Sequence, residues 1–286
     1  MSLNIAATVI LYNPKEADLI NIESYLSKVK RLYVYDNSSK KTESKFILEN
    51  DKIIYFWNGE NYGISIRLNQ ACKKAIFDGF EYLLTMDQDS SFSEKNLDSY
   101  FTAIANFLEK DKVAIYGLEY AFNDINDKTL DYIEVDHLIT SASIMNLKIF
   151  NEIGGFDENL FIDGVDIDYC FAALSKGYKN IKFGKISFNH SLGISIEKRS
   201  PFSLFLFKKK LSLHSSIRIY YMQRNMLYIK NKYQLILPAT IKKFKRNQTH
   251  QINKNIKYSN EFFTVLNYYF KAKSDYKNKK MGKIID

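Results

Sequence analysis

The sequence predicts an α/β fold, a mostly parallel sheet flanked by helices, that continues into a basic and mainly helical C-terminal region. Three observations carry this. Strand-like and helix-like patterns alternate through the first 120 residues, polar residues gather where the strands end, and the charge of the chain divides sharply near residue 198.

Apolar Ile5–Leu11 reads as a first strand, and the amphipathic run from Lys15 to Val29 reads as a helix. RLYVYDNSS gives a second strand ending in a polar turn, and KIIYFW (residues 52–57) a third. Helical spacing returns over Ser65–Phe80, then EYLLTMD gives a fourth strand that stops at acids. Lys95–Glu109 is a helix and VAIYGLEY a fifth strand. Repetition of this unit predicts right-handed crossovers and a sheet covered on both faces, with ligands outside the carboxyl ends of its strands. The polar residues sit there: Asn13 after strand one, Asp36 to Ser39 after two, Asn61 after three, Asp87 to Asp89 after four.

Beyond Ser141 come a small-residue strand or loop (TSASIM), a glycine-rich turn (IGGFDENLFID), an acid-rich helix start (VDIDYCFAALSKGY) and a strand ending at His190. From Pro201 the chain reads as basic helices, among them Ser215–Lys232 and Asn260–Lys273. The expected domains are 1–197, with a nucleotide-binding half to about 120 and an acceptor half over 121–197, and the basic region 198–286.

With 46% hydrophobic and 26% charged residues among 286, the chain has ordinary globular composition. Its two cysteines, Cys72 and Cys170, both fall in helical segments and allow neither a disulfide ladder nor a zinc spacing, which favours a reducing, cytoplasmic setting. No stretch reaches the ~18 uninterrupted apolar residues of a membrane span, and the short N-terminal apolar run lacks signal-peptide flanks. Residues 1–197 carry 20 Lys+Arg against 29 Asp+Glu, whereas 198–286 carry 21 against 3. Such a basic block suits an anionic partner; without a nucleic-acid-reading motif, none is expected to be nucleic acid, and an anionic bilayer on the inner face of the membrane is the expected surface.

Four constellations carry chemistry. Asp87 and Asp89 flank Gln88 at a strand end, so their carboxylates point roughly the same way and could hold Mg²⁺ or Mn²⁺, hard ions that share oxygen ligands with phosphates. GENYGISIRLNQA (59–71) opens a turn into a helix, where Gly63 permits close backbone approach and Arg67 lies one turn inside to meet anionic oxygens. The acid of Asp36-Asn37-Ser38-Ser39 could accept from a pyrimidine N3–H. Finally Asp157, Glu158, Asp163, Asp166 and Asp168 lie within twelve residues among large apolar groups, a setting for a general base acting on an acceptor hydroxyl.

Taken in this order, the motifs T-V-x-x-Y-N-P, V-Y-D-N-S-S, N-x-G-I-x-x-x-x-N, D-Q-D and G-G-F-D-E-x-L-F-I-D-x-V-D-x-D-Y-C resemble the family 2 inverting glycosyltransferases of the GT-A fold, a Rossmann-like architecture, and in particular their bacterial rhamnosyltransferase-like branch. The resemblance spans roughly residues 4–230. It implies that Tyr12, Asn13, Asp36, Asn61, Gly63, Arg67, Asp87 and Arg224 line a nucleotide-diphosphate sugar, that Asp87, Asp89 and His190 meet the metal, and that Asp166 is the catalytic base. Asp157, Glu158 and Asp163 fall on the acceptor side, where a glycan or polyprenyl-linked glycan would sit; the resemblance favours L-rhamnose from dTDP-rhamnose as donor, with a UDP-hexose left open because uracil and thymine offer the same N3–H and O4 edge. One departure stands out: the branch carries an Arg soon after D-Y-C, where this chain has Phe171-Ala172-Ala173-Leu174.

Two other readings compete. A nucleotidyltransferase also uses D-x-D on an α/β sheet, but residues 8–16 hold one Lys and no Gly, against the glycine-rich basic signature such an enzyme needs. A non-catalytic scaffold with a binding tail would leave the strand-end acids unexplained.

Overall fold

The computed structural model describes residues 3–120, 131–190, 195–199 and 208–284. In chain order the elements are β1 (Ile5–Leu11), α1 (Glu16–Leu26), β2 (Leu32–Asp36), α2 (Lys45–Leu48), β3 (Ile53–Trp57), α3 (Gly63–Phe77), β4 (Tyr82–Asp87), β5 (Ser90–Ser91), α4 (Glu94–Ala105), β6 (Val113–Tyr120), β7 (Tyr132–Glu134), β8 (Ser143–Asn146), α5 (Leu147–Ile153), α6 (Val165–Ser175), β9 (Lys179–His190), β10 (Ser195–Arg199), β11 (Lys208–Ser212), α7 (Ser216–Tyr233), α8 (Pro238–Tyr258) and α9 (Phe262–Lys277).

Two compact units emerge. The first comprises Met1–Glu158 and Val165–Ser191; the second comprises Asn159–Gly164 and Leu192–Asp286. In the first, the strand order is β3-β2-β1-β4-β8-β6-β9-β5, with β7 paired to β9. Strands β3, β2, β1 and β4 run parallel, as the alternation with helices requires. Their carboxyl ends lie level: Leu11 pairs with Asp36, Asp36 with Trp57, and Ile10 with Asp87. Four strand exits thus share one edge.

Of the parallel strands, β1, β2 and β4 are buried on both faces along nearly their whole length, whereas β3, at the end of the strand order, is half-buried. One face packs Ala7, Val9, Leu84 and Val34 against Ile22, Tyr25 and Leu97, in a single core that also holds Tyr100, Tyr116 and Phe183. Each such apolar side chain contributes roughly 1.5–3 kcal/mol on burial.

The segment TSASIM resolves into β8, which runs antiparallel between β4 and β6, so the strand read as fifth does not adjoin the fourth. Its partners lie far away in sequence, and only pairing reveals the insertion. Asn146 ends β8 and caps α5, its side chain accepting from the Lys148 and Ile149 amides, and Gly154 closes that helix in the left-handed region at φ 99°. The helix expected over Ser65–Phe80 starts at Gly63 and stops at Phe77, where Gly79 (φ 80°) turns the chain back. That expected over Lys95–Glu109 ends at Ala105.

In the second unit the start of the expected helical region differs. Residues 200–207 lie outside the described ones, but Lys208–Ser212 is a strand, paired antiparallel with Ser195–Arg199. Its lysine run hides any alternation. The helices α7, α8 and α9 follow, with Tyr220, Tyr221 and Ala272 at a small core. Among the described residues no helix is long and apolar enough to cross a membrane.

Candidate active site

The carboxyl edge of the first unit's parallel strands assembles the motifs. Asp87 ends β4, and the chain then makes one turn into the two-residue strand β5, whose Ser90 pairs with His190 of β9. That pairing brings together residues a hundred positions apart. One ligand atom from each of Asp87, Asp89 and His190 lies within 4.8 Å of the others. His190 Nδ1 is 3.4 Å from Asp89 Oδ1 and 2.7 Å from Ser90 Oγ, and Ser141 Oγ lies 2.7 Å from Ser90 Oγ while accepting the Asp87 backbone N–H at 3.2 Å. Ser90 and Ser141 are fully buried. A chain of two buried hydroxyls therefore ties the His190 ring to the Asp87 backbone, and Asp89 meets that ring directly.

Gln88, given no role by its sequence position, clamps the first strand exit. Its Oε1 accepts the Tyr12 amide at 2.8 Å, its Nε2 reaches Asp18 Oδ2 at 3.3 Å, and its own carbonyl accepts from Asn21. The backbone of Tyr12 is thereby fixed while its ring stays 55% exposed. Asn13 adopts φ 46°, and its amide donates to Ser38 Oγ at 2.7 Å.

Asn37 ties the second exit to the third. Its Nδ2 donates to the Gly63 carbonyl (3.1 Å), and its Oδ1 accepts from the Tyr62 amide (3.3 Å) and from Arg67 Nε (2.8 Å). Asn61 accepts the Gly63 amide at 2.9 Å, which sets the turn into α3, and Gly63 takes φ 77° there, a region open to glycine at little cost.

Two residues expected at the nucleotide are buried and hydrogen-bonded from within. Asp36 is fully buried and its carboxylate is engaged by its own loop: Oδ1 accepts the Ser38 amide, and Oδ2 accepts the Thr42 amide and hydroxyl and the Tyr55 hydroxyl, the last two at 2.6 Å. Burial works to raise its pKa, but these hydrogen bonds outweigh it and hold the carboxyl below its usual range. Arg67, expected to face anionic oxygens, is buried, lies over the rings of Tyr35 and Tyr62, and donates to Asn37, Gln70 (3.0 Å) and Asn58 (2.9 Å). Its partners within hydrogen-bond reach are neutral, and burial lowers its pKa. Both residues brace the loops at these strand exits from inside. A cavity of about 510 Å³ opens beside the Asp36 loop, lined by Asn13, Ser38, Lys40, Lys41 and Thr42 among others.

Asn69, the last residue of N-x-G-I-x-x-x-x-N, reaches the glycine-rich turn. Its Oδ1 accepts the Phe156 amide (2.8 Å), and its Nδ2 donates to the Phe156 carbonyl (2.9 Å) and Glu158 Oε1 (2.8 Å). A Cβ at Gly155, where φ is 84°, would stand 2.8 Å from Asn69 Oδ1, so glycine is needed for this approach. Replacing Asn69 by alanine is expected to cost about 2–4 kcal/mol of stability, since it strands the Phe156 amide and carbonyl; chemical denaturation measures it.

Asp166 is half-buried in the first turn of α6, where its Oδ1 accepts the Ile167 amide at 2.8 Å, whereas Asp168 is buried. Asp157 and Glu158 also belong to the first unit, but Asp163 belongs to the second. Asp163 takes φ 62° and is ion-paired with Arg218, which donates through Nε (3.2 Å) and Nη2 (2.5 Å). In the same unit Asn225 Nδ2 donates to the carbonyls of Ile162 and Asp163. Arg224, expected at the diphosphate, is buried beneath Tyr220 and Tyr221 and donates to Tyr220 Oη (3.0 Å) and the Gly282 carbonyl (2.7 Å). It anchors the chain after α9. Both cysteine thiols are buried and unpaired with each other, and burial pushes their pKa values up, as suits inert core residues.

The comparisons with known proteins agree with this geometry. Over 260 residues, 83% of this chain and 84% of the relative, the sequence is 27% identical to the dTDP-rhamnosyl transferase RfbF of Shigella flexneri. Two solved structures share the fold: the mannosyltransferase PcManGT of Pyrobaculum calidifontis in complex with GDP-Man and Mn²⁺ (TM-score 0.59, 12% identity, 98% of this chain and 84% of that one) and S. aureus TarS 1–349 in complex with UDP-GlcNAc (TM-score 0.60, 13% identity, 95% and 80%). The family model "Glycosyl transferase family 2" matches residues 9–174, more than half the chain and all the strand-end motifs up to the acid-rich helix, so the protein belongs to glycosyl transferase family 2 and is a glycosyltransferase.

Proposed function

We propose that this enzyme is an inverting, metal-dependent transferase that moves L-rhamnose from dTDP-rhamnose to a hydroxyl of a glycan, carried free or on a polyprenyl diphosphate, in surface polysaccharide synthesis. The observation that carries the reading is the Asp87-Asp89-His190 group at the carboxyl edge of the parallel strands. Two carboxylates and an imidazole within 4.8 Å of one another fit a single divalent ion, and the imidazole favours a transition ion such as Mn²⁺ over Mg²⁺. An ion bound there would neutralise the diphosphate as it leaves.

The remaining roles follow from the chain itself. Tyr12, its backbone pinned by Gln88 and its ring exposed, offers a stacking face to the base. Asn13 and Asn61, with the loop held by Asn37, Asp36 and Arg67, shape the nucleotide seat. Asp166 takes the proton of the acceptor hydroxyl as its oxygen bonds to the anomeric carbon and the bond to the diphosphate breaks. The Ile167 amide, donating to Oδ1, orients the Asp166 carboxylate. A single displacement of this kind inverts the anomeric centre. The likeness to a dTDP-rhamnosyl transferase supports the donor, and the strongly basic region 198–286 supports work at the anionic inner leaflet of a membrane, where lipid-linked acceptors lie.

The test is transfer itself. With dTDP-β-L-rhamnose, Mn²⁺ and an extract of lipid-linked glycan, the expected product by NMR is an α-rhamnoside with stoichiometric dTDP. A product of retained configuration, or turnover of a UDP-hexose alone, overturns the mechanism or the donor respectively.

A further inference from the structure

The last helix, α9, has two faces of opposite character. Val265 and Ala272 are buried on the inner one, and Asp275, ion-paired with Lys271 of the same helix at 3.5 Å, accepts from Tyr220 Oη at 2.8 Å, so rolling the helix about its axis would break a buried hydrogen bond. Phe263 and Phe270, seven residues apart and hence on one side of the helix, are 84% and 61% exposed. Phe262 stands edge-on to Phe263 with ring centroids 5.5 Å apart and is itself 44% exposed. Lys273 lies over the rings of Tyr269 and Phe270, and Lys277 is exposed one turn on.

Large apolar rings held out of a well-formed helix beside lysines mark a surface that meets something. The charge says what. Of the three acids in residues 198–286, Asp275 is turned inward and Glu261 accepts from Ser216 Oγ at 2.6 Å, against 21 Lys and Arg in the same stretch. A second copy of this unit would bring like charge against like, whereas an anionic bilayer offers phosphates to the lysines and an acyl boundary to the phenylalanines.

We propose that the outer face of α9 is the membrane-docking surface of this protein, lying in the headgroup layer of an anionic leaflet with Phe263 and Phe270 inserted and Lys273 and Lys277 at lipid phosphates. This rests on the reading above that the enzyme works at a membrane, and adds the element that makes the contact.

Sedimentation of the full chain with vesicles of phosphatidylcholine, with and without 30% phosphatidylglycerol, tests it at low and high salt. The wild type is expected to bind the anionic vesicles alone, and Phe263→Ser/Phe270→Ser to bind them about a hundredfold more weakly with an unchanged circular dichroism spectrum. Unchanged binding by the double variant overturns the role of α9 and leaves the membrane reading standing. No binding by the wild type overturns both. If the wild type instead forms dimers that the double variant does not, by analytical ultracentrifugation, the face is an interface between copies and the proposal fails. Tyr268→Phe, on the partly buried side, is the control and should bind as wild type does.

Discussion

Asp89→Ala is expected to abolish Mn²⁺-dependent binding of dTDP, a loss of about a hundredfold or more. The carboxylate is partly exposed and its contact to His190 is a single one of 3.4 Å, so removing it leaves the core untouched. Calorimetric titration of dTDP, UDP and GDP into both proteins, with and without Mn²⁺, separates the contributions. If the wild type binds dTDP equally well without metal, the ion has no part in holding the diphosphate. If neither protein binds any of the three while both remain folded, the site is not a nucleotide site. A melting temperature within a degree or two of wild type is the accompanying expectation, because exposed substitutions rarely move stability by more than about 0.5 kcal/mol.

Asp166→Asn should lower kcat by roughly 10²–10⁴ while leaving the affinity for dTDP near wild type. Asparagine keeps an oxygen for the Ile167 amide and so keeps the first turn of α6, but it cannot take a proton. The informative quantity is the split between the two effects, read from initial rates and from calorimetry on the same preparation. A tenfold or greater loss of nucleotide affinity would move Asp166 from the acceptor to the donor. An unchanged kcat would remove it from the chemistry, leaving Asp157, half-buried in the neighbouring glycine-rich turn, to try next.

How much of this was readable beforehand varied with distance along the chain. The four parallel strands and the acids at their ends were legible because apolar runs and the polar residues that stop them are local signals. Asp87 and Asp89 could be paired from spacing alone. His190 could not: what unites it with them is a two-residue strand, too short to leave a periodic trace, and only likeness to a family pointed to it. The surroundings of the arginines were hidden for a physical reason. Arginine is the expected residue at a diphosphate, but its flat cation is equally at home over tyrosine rings, and the Tyr35 and Tyr62 beneath Arg67, or the Gly282 carbonyl beyond Arg224, are invisible as neighbours until the chain is folded. The amides were overlooked for the opposite reason. Asn37, Asn69 and Gln88 stood inside the motifs, but an amide has no charge to suggest a task, and each proves to tie its own segment to the backbone of another.

The buried hydroxyls of Ser90 and Ser141 have one more effect. A hydroxyl can turn over in place, so the pair can present His190 Nδ1 with either a proton or a lone pair: Ser141 to Ser90 to the ring in one sense, the ring to Ser90 to Ser141 in the other. A ring nitrogen that carries the proton donates to Ser90, and one that carries a lone pair accepts from it. The serine hydroxyl can thus meet either tautomer of the imidazole by rotation, with no heavy atom displaced, while the tautomer itself changes only when a proton moves on or off the ring.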